Sequence, residues 1–384
     1  MFPLVLGQIR TLLALAALGA TSFTRPAAAS AQDEWRPRTV PLLGASYSPD
    51  LGLLIGVGVA HTRYGFRALP PSTRLLASAE FATGAGSYRA AVEGQFRRPL
   101  APGILSIELR ASGLEILRFY GFGNETDASQ PDSVYRVRQK QLVLAPEVSA
   151  RLAARLRLGV GPLVKYTHTY SDTGTILTRT GPYYGAGNFG QVGTRAELEL
   201  DTRDMPVAPA RGAHLQVAAE WYPAAWDVGD SFGSVSAEAS TYASAGDPPA
   251  ATLALRVGGA AASGTVPFSE LVHVGGEATV RGYAEQRFAG RTGAYANAEL
   301  RLRLGWLSIG DYGVFGLADA GRVWVADEAR TAGTPLQAVV SGSAGSTAAP
   351  TRSRLRRRKV PRPRRSTCAR DSCSEANGDF SATR

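Results

Sequence analysis

Residues 293–304 read GAYANAELRLRL, and this stretch decides the fold. Tyr295, Asn297, Glu299, Arg301 and Arg303 fall on one parity, while Ala294, Ala296, Ala298, Leu300, Leu302 and Leu304 fall on the other. Successive side chains of a strand point to opposite faces, so an extended chain here has one wholly polar face and one wholly apolar face. A helix of the same sequence would spread its charge all round. The same period recurs in LSIELR at 105–110, AELELD at 196–201 and HLQV at 214–217. Across 147–160, Val148, Ala150, Leu152, Leu156 and Leu158 share one phase, and Glu147, Ser149, Arg151, Arg155 and Arg157 share the other.

Extended outward, the period predicts about thirteen strands, at 41–47, 52–62, 73–84, 87–97, 103–117, 136–149, 153–168, 188–202, 212–222, 232–244, 250–263, 293–304 and 311–325. The long connections, near 118–135, 169–187 and 264–292, all follow odd-numbered strands, and most connections after even strands are short. Long loops at one end and tight turns at the other are the pattern of an outer-membrane barrel. The apolar faces are rich in Ala and Gly beside Leu and Val, whereas a soluble sandwich packs bulky side chains between its sheets. The opposite faces carry many Arg and Glu residues, as a wet lumen tolerates. Tyr166, Tyr170, Trp221, Tyr222, Trp306 and Trp324 lie near strand ends, where an interfacial girdle belongs. The fold class expected is therefore all-β, a transmembrane antiparallel β-barrel, with a soluble secreted β-sheet binding protein as the alternative. Lipid cannot satisfy backbone groups, so such a sheet must close on itself.

Composition narrows the function. The formal charge is +10, from 42 basic and 32 acidic residues, but residues 351–384 hold 11 of the basic and 3 of the acidic ones. The body is nearly neutral, which argues against a nucleic-acid surface spread over the fold. Cys368 and Cys373 are the chain's 2 cysteines, so the preceding body offers neither a disulfide scaffold nor a Cys nucleophile. Arg10, the apolar run Thr11–Ala20 and Ala29-Ser30-Ala31 read as a signal peptide over residues 1–31. His61, His168, His214 and His273 are scattered, without HExxH spacing, and no Gly-x-Ser-x-Gly elbow or phosphate-binding loop occurs. His168, between Thr167 and Thr169, is a candidate to face a lumen, although a lone His is far more often structural. No catalytic residue, cofactor or metal is expected, and the chain is not read as an enzyme.

The longest loop, 264–292, contains His273-Val274-Gly275-Gly276-Glu277-Ala278-Thr279-Val280-Arg281-Gly282-Tyr283, followed by Arg287-Phe288 and the Asn297–Arg301 strand. This resembles the BamA/TamA superfamily of outer-membrane assembly barrels, the bacterial surface antigen family, whose signature Val-Arg-Gly-Tyr loop matches Val280, Arg281, Gly282 and Tyr283. Asp201-Thr202-Arg203-Asp204-Met205-Pro206, continuing to Arg211-Gly212, resembles the family's periplasmic turn. Phe119–Thr126 resembles a loop of the same group, and Asp319 matches the family's aromatic-x-Asp motif with Leu317 in place of the aromatic. The resemblance covers residues 40–325 and implies a sixteen-stranded barrel with the signature loop inside it. It implies that Arg281 packs on acidic wall residues, Asp319 first and Glu299 second. Gly282 is expected to permit the turn and Tyr283 to wedge the loop tip against the wall. The implied role is assembly, insertion or translocation of outer-membrane proteins. The partners implied are outer-membrane lipids, unfolded β-barrel or secreted client polypeptides, and a separate periplasmic partner. A passive pore or export barrel working with such a partner is the alternative.

Two features depart from the family. Cleavage near residue 31 leaves too short a leader for the periplasmic polypeptide-transport-associated (POTRA) domains that receive clients, which puts insertion of the usual kind in doubt. After Val325 the alternation stops, and 326–384 reads as a low-complexity basic tail, disordered or frame-shifted, in place of the last strands.

Overall fold

The computed structural model describes residues 36–48, 50–65, 68–97, 103–307, 310–325 and 338–339. Residues 1–31, read above as a signal peptide, and nearly all of the segment 326–384 lie outside the described residues. The strands are β1 (Arg38–Ser48), β2 (Gly52–Gly65), β3 (Ala68–Ala82), β4 (Ser87–Phe96), β5 (Ile104–Arg118), β6 (Arg136–Ala153), β7 (Leu156–Thr169), β8 (Asn188–Asp201), β9 (Gly212–Tyr222), β10 (Phe232–Ala245), β11 (Ala251–Gly264), β12 (Val272–Val274), β13 (Phe288–Gly290), β14 (Thr292–Leu307), β15 (Gly310–Trp324) and β16 (Ala338–Val339). One sheet runs β1 to β11 in chain order and continues β14, β15, β16, each strand antiparallel to the next. The small hairpin β12–β13 belongs to the long loop between β11 and β14. Among the described residues no pairing joins β1 to β15 or β16.

All thirteen strands expected from the alternation form the wall, each displaced by a few residues at most. The largest displacement is at β3, which begins at Ala68, where Pro70 and Pro71 argue for a break. Its pairing with β4 starts only at Thr73, so the missing proline N–H groups lie where no β4 residue faces them. Wall strands of 10 to 18 residues meet or exceed what crossing a bilayer with tilt requires. Among the described residues no helix is long and apolar enough to cross a membrane.

Burial separates the two readings of the alternation. Ile55, Val57, Leu142, Val160 and Val257 are each about half exposed, at 51%, 55%, 48%, 48% and 56%. On the other phase Arg110, Gln139, Lys165, Gln191 and Asp319 are buried. A sandwich hides its apolar phase, and here that phase faces outward while the polar phase lines the interior. Inward charges pair along the wall: Arg110 Nη1 reaches Glu115 at 3.4 Å and Arg195 Nη2 reaches Glu197 at 2.8 Å.

Alternation also corrects two expectations. Trp221 is 54% exposed on the outward phase, so its neighbour Tyr222 must point inward, where it is buried and stacked on Phe232 at 4.6 Å. Tyr222 is therefore not a girdle residue. Thr167 and Thr169 are the buried, inward residues of β7, which turns His168 outward onto Asn188 at 2.6 Å. Tyr166 keeps its girdle position and stacks on Trp226 at 5.9 Å. The side chain of Trp306 lies outside the described residues.

Candidate functional site

The loop 265–291 descends into the interior and is held there by its own turns and by the wall. Gly275, Gly276 and Gly282 adopt φ of +123°, +85° and +101°, a region that favours glycine. At Gly276 a Cβ would lie 2.2 Å from the Glu285 carboxylate and would displace it. Thr279 Oγ1 accepts from the Gly275 N–H at 2.7 Å and donates to the Gly275 carbonyl at 3.1 Å, which ties the loop across its neck.

Arg281 is the centre of the seat. Its Nε and Nη2 donate to the two oxygens of Asp319, each at 2.8 Å, and its backbone N–H donates to the same carboxylate at 2.9 Å. Nη1 donates to Glu299 at 2.6 Å, while Arg301 Nε holds the other Glu299 oxygen at 2.7 Å. The Asp319 side chain has no solvent exposure. A buried carboxylate is costly unless paired, and a guanidinium supplies the fork that matches it. Asp319, despite its burial, and Glu299 together hold the Arg281 proton well above its ordinary range.

Register explains why these groups converge. Asn297 on β14 stands opposite Asp319 on β15, and Glu299 opposite Leu317, so acid and amide share one inward patch two residues long. Asn297 donates to the Thr279 carbonyl at 2.6 Å, and Arg256 on β11 donates to the Ala278 carbonyl at 2.8 Å. Beside them Val280 is buried with Val274, Phe288 and Val323. Gly321 makes the notch for this contact, because a Cβ there would lie 2.6 Å from Val280 Cγ2. Gly282 itself is exposed at the tip. Tyr283 is half-buried, and its ring meets Phe288 of the loop's returning limb edge-on at 5.0 Å.

Three contacts have no counterpart in the motif. Glu270, on the descending limb, accepts from Lys165 Nζ of β7 at 2.7 and 2.9 Å and from Gln191 of β8 at 3.1 Å. Burial pushes the Glu270 carboxyl up, but Lys165 overrides it and holds the group below the usual carboxylate range. The loop is thus clamped by its acid on β7 and β8 and by its base on β14 and β15, with β9, β10 and β11 between the two clamps. Next, Arg287 bonds the hydroxyl and carbonyl of Thr126 and lies over the Tyr120 ring at 4.8 Å. Last, Asn124 Nδ2 donates to the Val323 carbonyl at 2.8 Å while its Oδ1 accepts the Val323 N–H at 3.1 Å. The Phe119–Thr126 stretch therefore docks on the signature loop and on the edge of β15. Each contact joins residues far apart in sequence; the resemblance of Phe119–Thr126 to a family loop marked one side of two of them, and nothing marked the Lys165–Glu270 pair.

At the opposite end of the wall, the Asp201–Gly212 turn closes on itself. Asp201 pairs with Arg203 at 2.7 Å, and Asp204 Oδ1 accepts from the backbone of Met205, Ala210 and Arg211. Gly212, at φ +101°, could not carry a Cβ, which would lie 2.4 Å from the Thr202 carbonyl. Arg211 reaches the Gly246 carbonyl of the neighbouring turn at 3.2 Å, and Pro206 is exposed at the tip. Glu199, Asp201 and His214 lie close enough to hold a cation. His214 bonds Glu199 at 3.2 Å and Arg157 also pairs with Glu199, so these groups satisfy one another.

The Omp85 superfamily domain matches residues 78–347, well over half of the chain. The chain belongs to the Omp85 superfamily. The match runs past Val325, where the alternation ends, into the segment read as tail. BamA from Haemophilus ducreyi, in a crystal structure lacking POTRA domains 1–3, superposes with a TM-score of 0.55 at 14% identity, over 77% of this chain and 61% of that one. This chain thus spans about three fifths of that relative's length, and the likeness concerns the fold. The outer membrane protein OprD from Pseudomonas aeruginosa gives a TM-score of only 0.25 at 10% identity, over 74% of this chain and 85% of that one, and adds nothing to this. No curated protein matches the sequence. Omp85 membership, with the outward apolar phase, makes this an outer-membrane β-barrel protein.

Proposed function

We propose that this Omp85 barrel assembles or translocates polypeptides at the outer membrane, without enzymatic chemistry. Its clients in this reading are unfolded β-barrel or secreted chains, delivered by a separate periplasmic partner. The observation that carries the reading is the seat of Arg281 on Asp319 and Glu299, which fixes the signature loop inside the wall beside β14 and β15. A loop clamped there leaves the wall itself to do the work. In this reading a client strand adds at the β1 end of the sheet, which pairs with neither β15 nor β16 among the described residues, as strands add to exposed sheet edges elsewhere.

Reconstitution tests this. The full chain in liposomes is expected to speed the folding of an unfolded barrel client, read as protease-protected, heat-modifiable product, and Arg281→Glu is expected to abolish the gain. Client folding no faster than in empty liposomes sinks the proposal. A passive export pore predicts ion conductance in the absence of client; the doubly clamped loop favours a closed lumen and therefore low conductance.

A further inference from the structure

Register and alternation sort the charges of the thirteen wall strands onto two faces. Every carboxylate with a described side chain on these strands, from Glu80 on β3 to Asp319 on β15, falls on the lumen phase. Among the described side chains the outward phase has cations as its charged groups, and they sit toward strand ends. Arg63 is at the turn end, and Arg118 and Arg136 close on Asp50 and Asp132 of the loops. The rest, Arg138, Lys140 and Arg322, lie toward the long-loop end.

Two of these three are neighbours in one outward file. Along β6 the outward positions read Leu144, Leu142, Lys140, Arg138, and the two leucines are 39% and 48% exposed. Beside them on β7, Tyr166 stands opposite Leu142 and His168 opposite Lys140, with Tyr170 following. Tyr166 and the exposed Trp226 mark the interfacial level. Lys140 therefore sits one outward step, about 7 Å, beyond the aromatic level, where headgroups begin. Arg138 and Lys140 flank the Tyr170 ring at 5.1 and 5.5 Å. Arg138 forms paired bonds to Asp172, at 2.9 Å, yet its side chain stays 59% exposed.

We propose that this patch binds a phosphate of a phosphorylated glycolipid in the outer leaflet. Long loops mark the outer side of such barrels, so the headgroups at this level are those of the outer leaflet. Lys140 supplies a point charge with three donors and Arg138 the exposed edge of its guanidinium. The wall strands keep their carboxylates, which would repel a phosphate, on the other face, and Asp172 of the loop after β7 is engaged by one edge of Arg138. The inference rests on the outer-membrane barrel reading and is independent of whether the barrel handles clients.

The test titrates the full chain, purified in detergent as a heat-modifiable barrel, with lipopolysaccharide and in parallel with phosphatidylglycerol, and counts bound lipid by native mass spectrometry. Wild type is expected to hold lipopolysaccharide in preference. Arg138→Ala with Lys140→Ala should weaken it on the order of tenfold, and Lys140→Arg should retain it. Arg63→Ala, at the other end of the wall, should change nothing. Equal binding by the double variant, an equal loss in Arg63→Ala, or preference for phosphatidylglycerol overturns the proposal. The heat-shifted band in each variant separates loss of the site from loss of the barrel.

Discussion

Arg281→Ala is the most informative single change in this chain. It deletes three side-chain hydrogen bonds, two to Asp319 at 2.8 Å and one to Glu299 at 2.6 Å. Charge-assisted bonds of this kind contribute about 1.5–3 kcal/mol each, which would sum to an upper bound. Two observations lower it. Glu299 keeps Arg301 at 2.7 Å, and Asp319 keeps the backbone N–H of residue 281 at 2.9 Å. Against that, the fully buried Asp319 carboxylate is left without its cation, a situation that costs about 3–5 kcal/mol. About 3 kcal/mol is therefore expected on the equilibrium between seated and released loop, or roughly 150-fold. The strand ladder does not depend on these bonds, so the effect is local. Hydrogen exchange in the folded barrel should show protection lost over residues 275–287 and kept in β7, β8 and β14. Arg281→Lys, which keeps the charge but not the fork, should fall between the two. Unchanged protection over 275–287, or an equal loss in every strand, would refute the reasoning.

Exchanging Lys165 and Glu270, as Lys165→Glu with Glu270→Lys, should restore loop protection that either single reversal loses; failure of the exchange to restore it in a folded barrel counts against a direct clamp. Asn124→Ala should raise hydrogen exchange at Val323 selectively, because it removes both partners of that backbone unit. Gly321→Ala places a Cβ 2.6 Å from Val280 and should lift the loop without touching a charge, seen as faster proteolysis within 275–287. Val257→Arg puts a charge on the outward face midway along β11 and should cost about 2–4 kcal/mol in folding into bilayers, whereas Glu238→Gln on the lumen face should cost far less.

Much of the wall was legible because a strand's period is two, so a run such as Leu300, Leu302 and Leu304 against Glu299, Arg301 and Arg303 states both element and face. The same rule, applied to one residue pair at a time, misled where the phase was not followed through: Trp221 and Tyr222 cannot both be girdle residues. At the candidate site, Arg281 and Asp319 carried motif signals, and the structure brings them together across 38 residues. Lys165 and Glu270 are 105 residues apart, with nothing local to announce the contact; Arg287 and Thr126 are 161 apart, each in a stretch that resembles the family but with no sign that they meet.

The sequence by itself determined the number of wall strands, their phase and the ends at which the long loops lie. Those properties follow from the backbone's two-residue repeat and from where the repeat is interrupted. Alternation alone is symmetric, so the outward direction of the apolar phase was an expectation from loop parity and small apolar side chains, and the tertiary structure decided it through burial. It also decided how the long loop is held. That depends on strands five and six places apart in the sheet bringing a lysine and two carboxylates around one interior, a relation set by the sheet's register rather than by any stretch of chain.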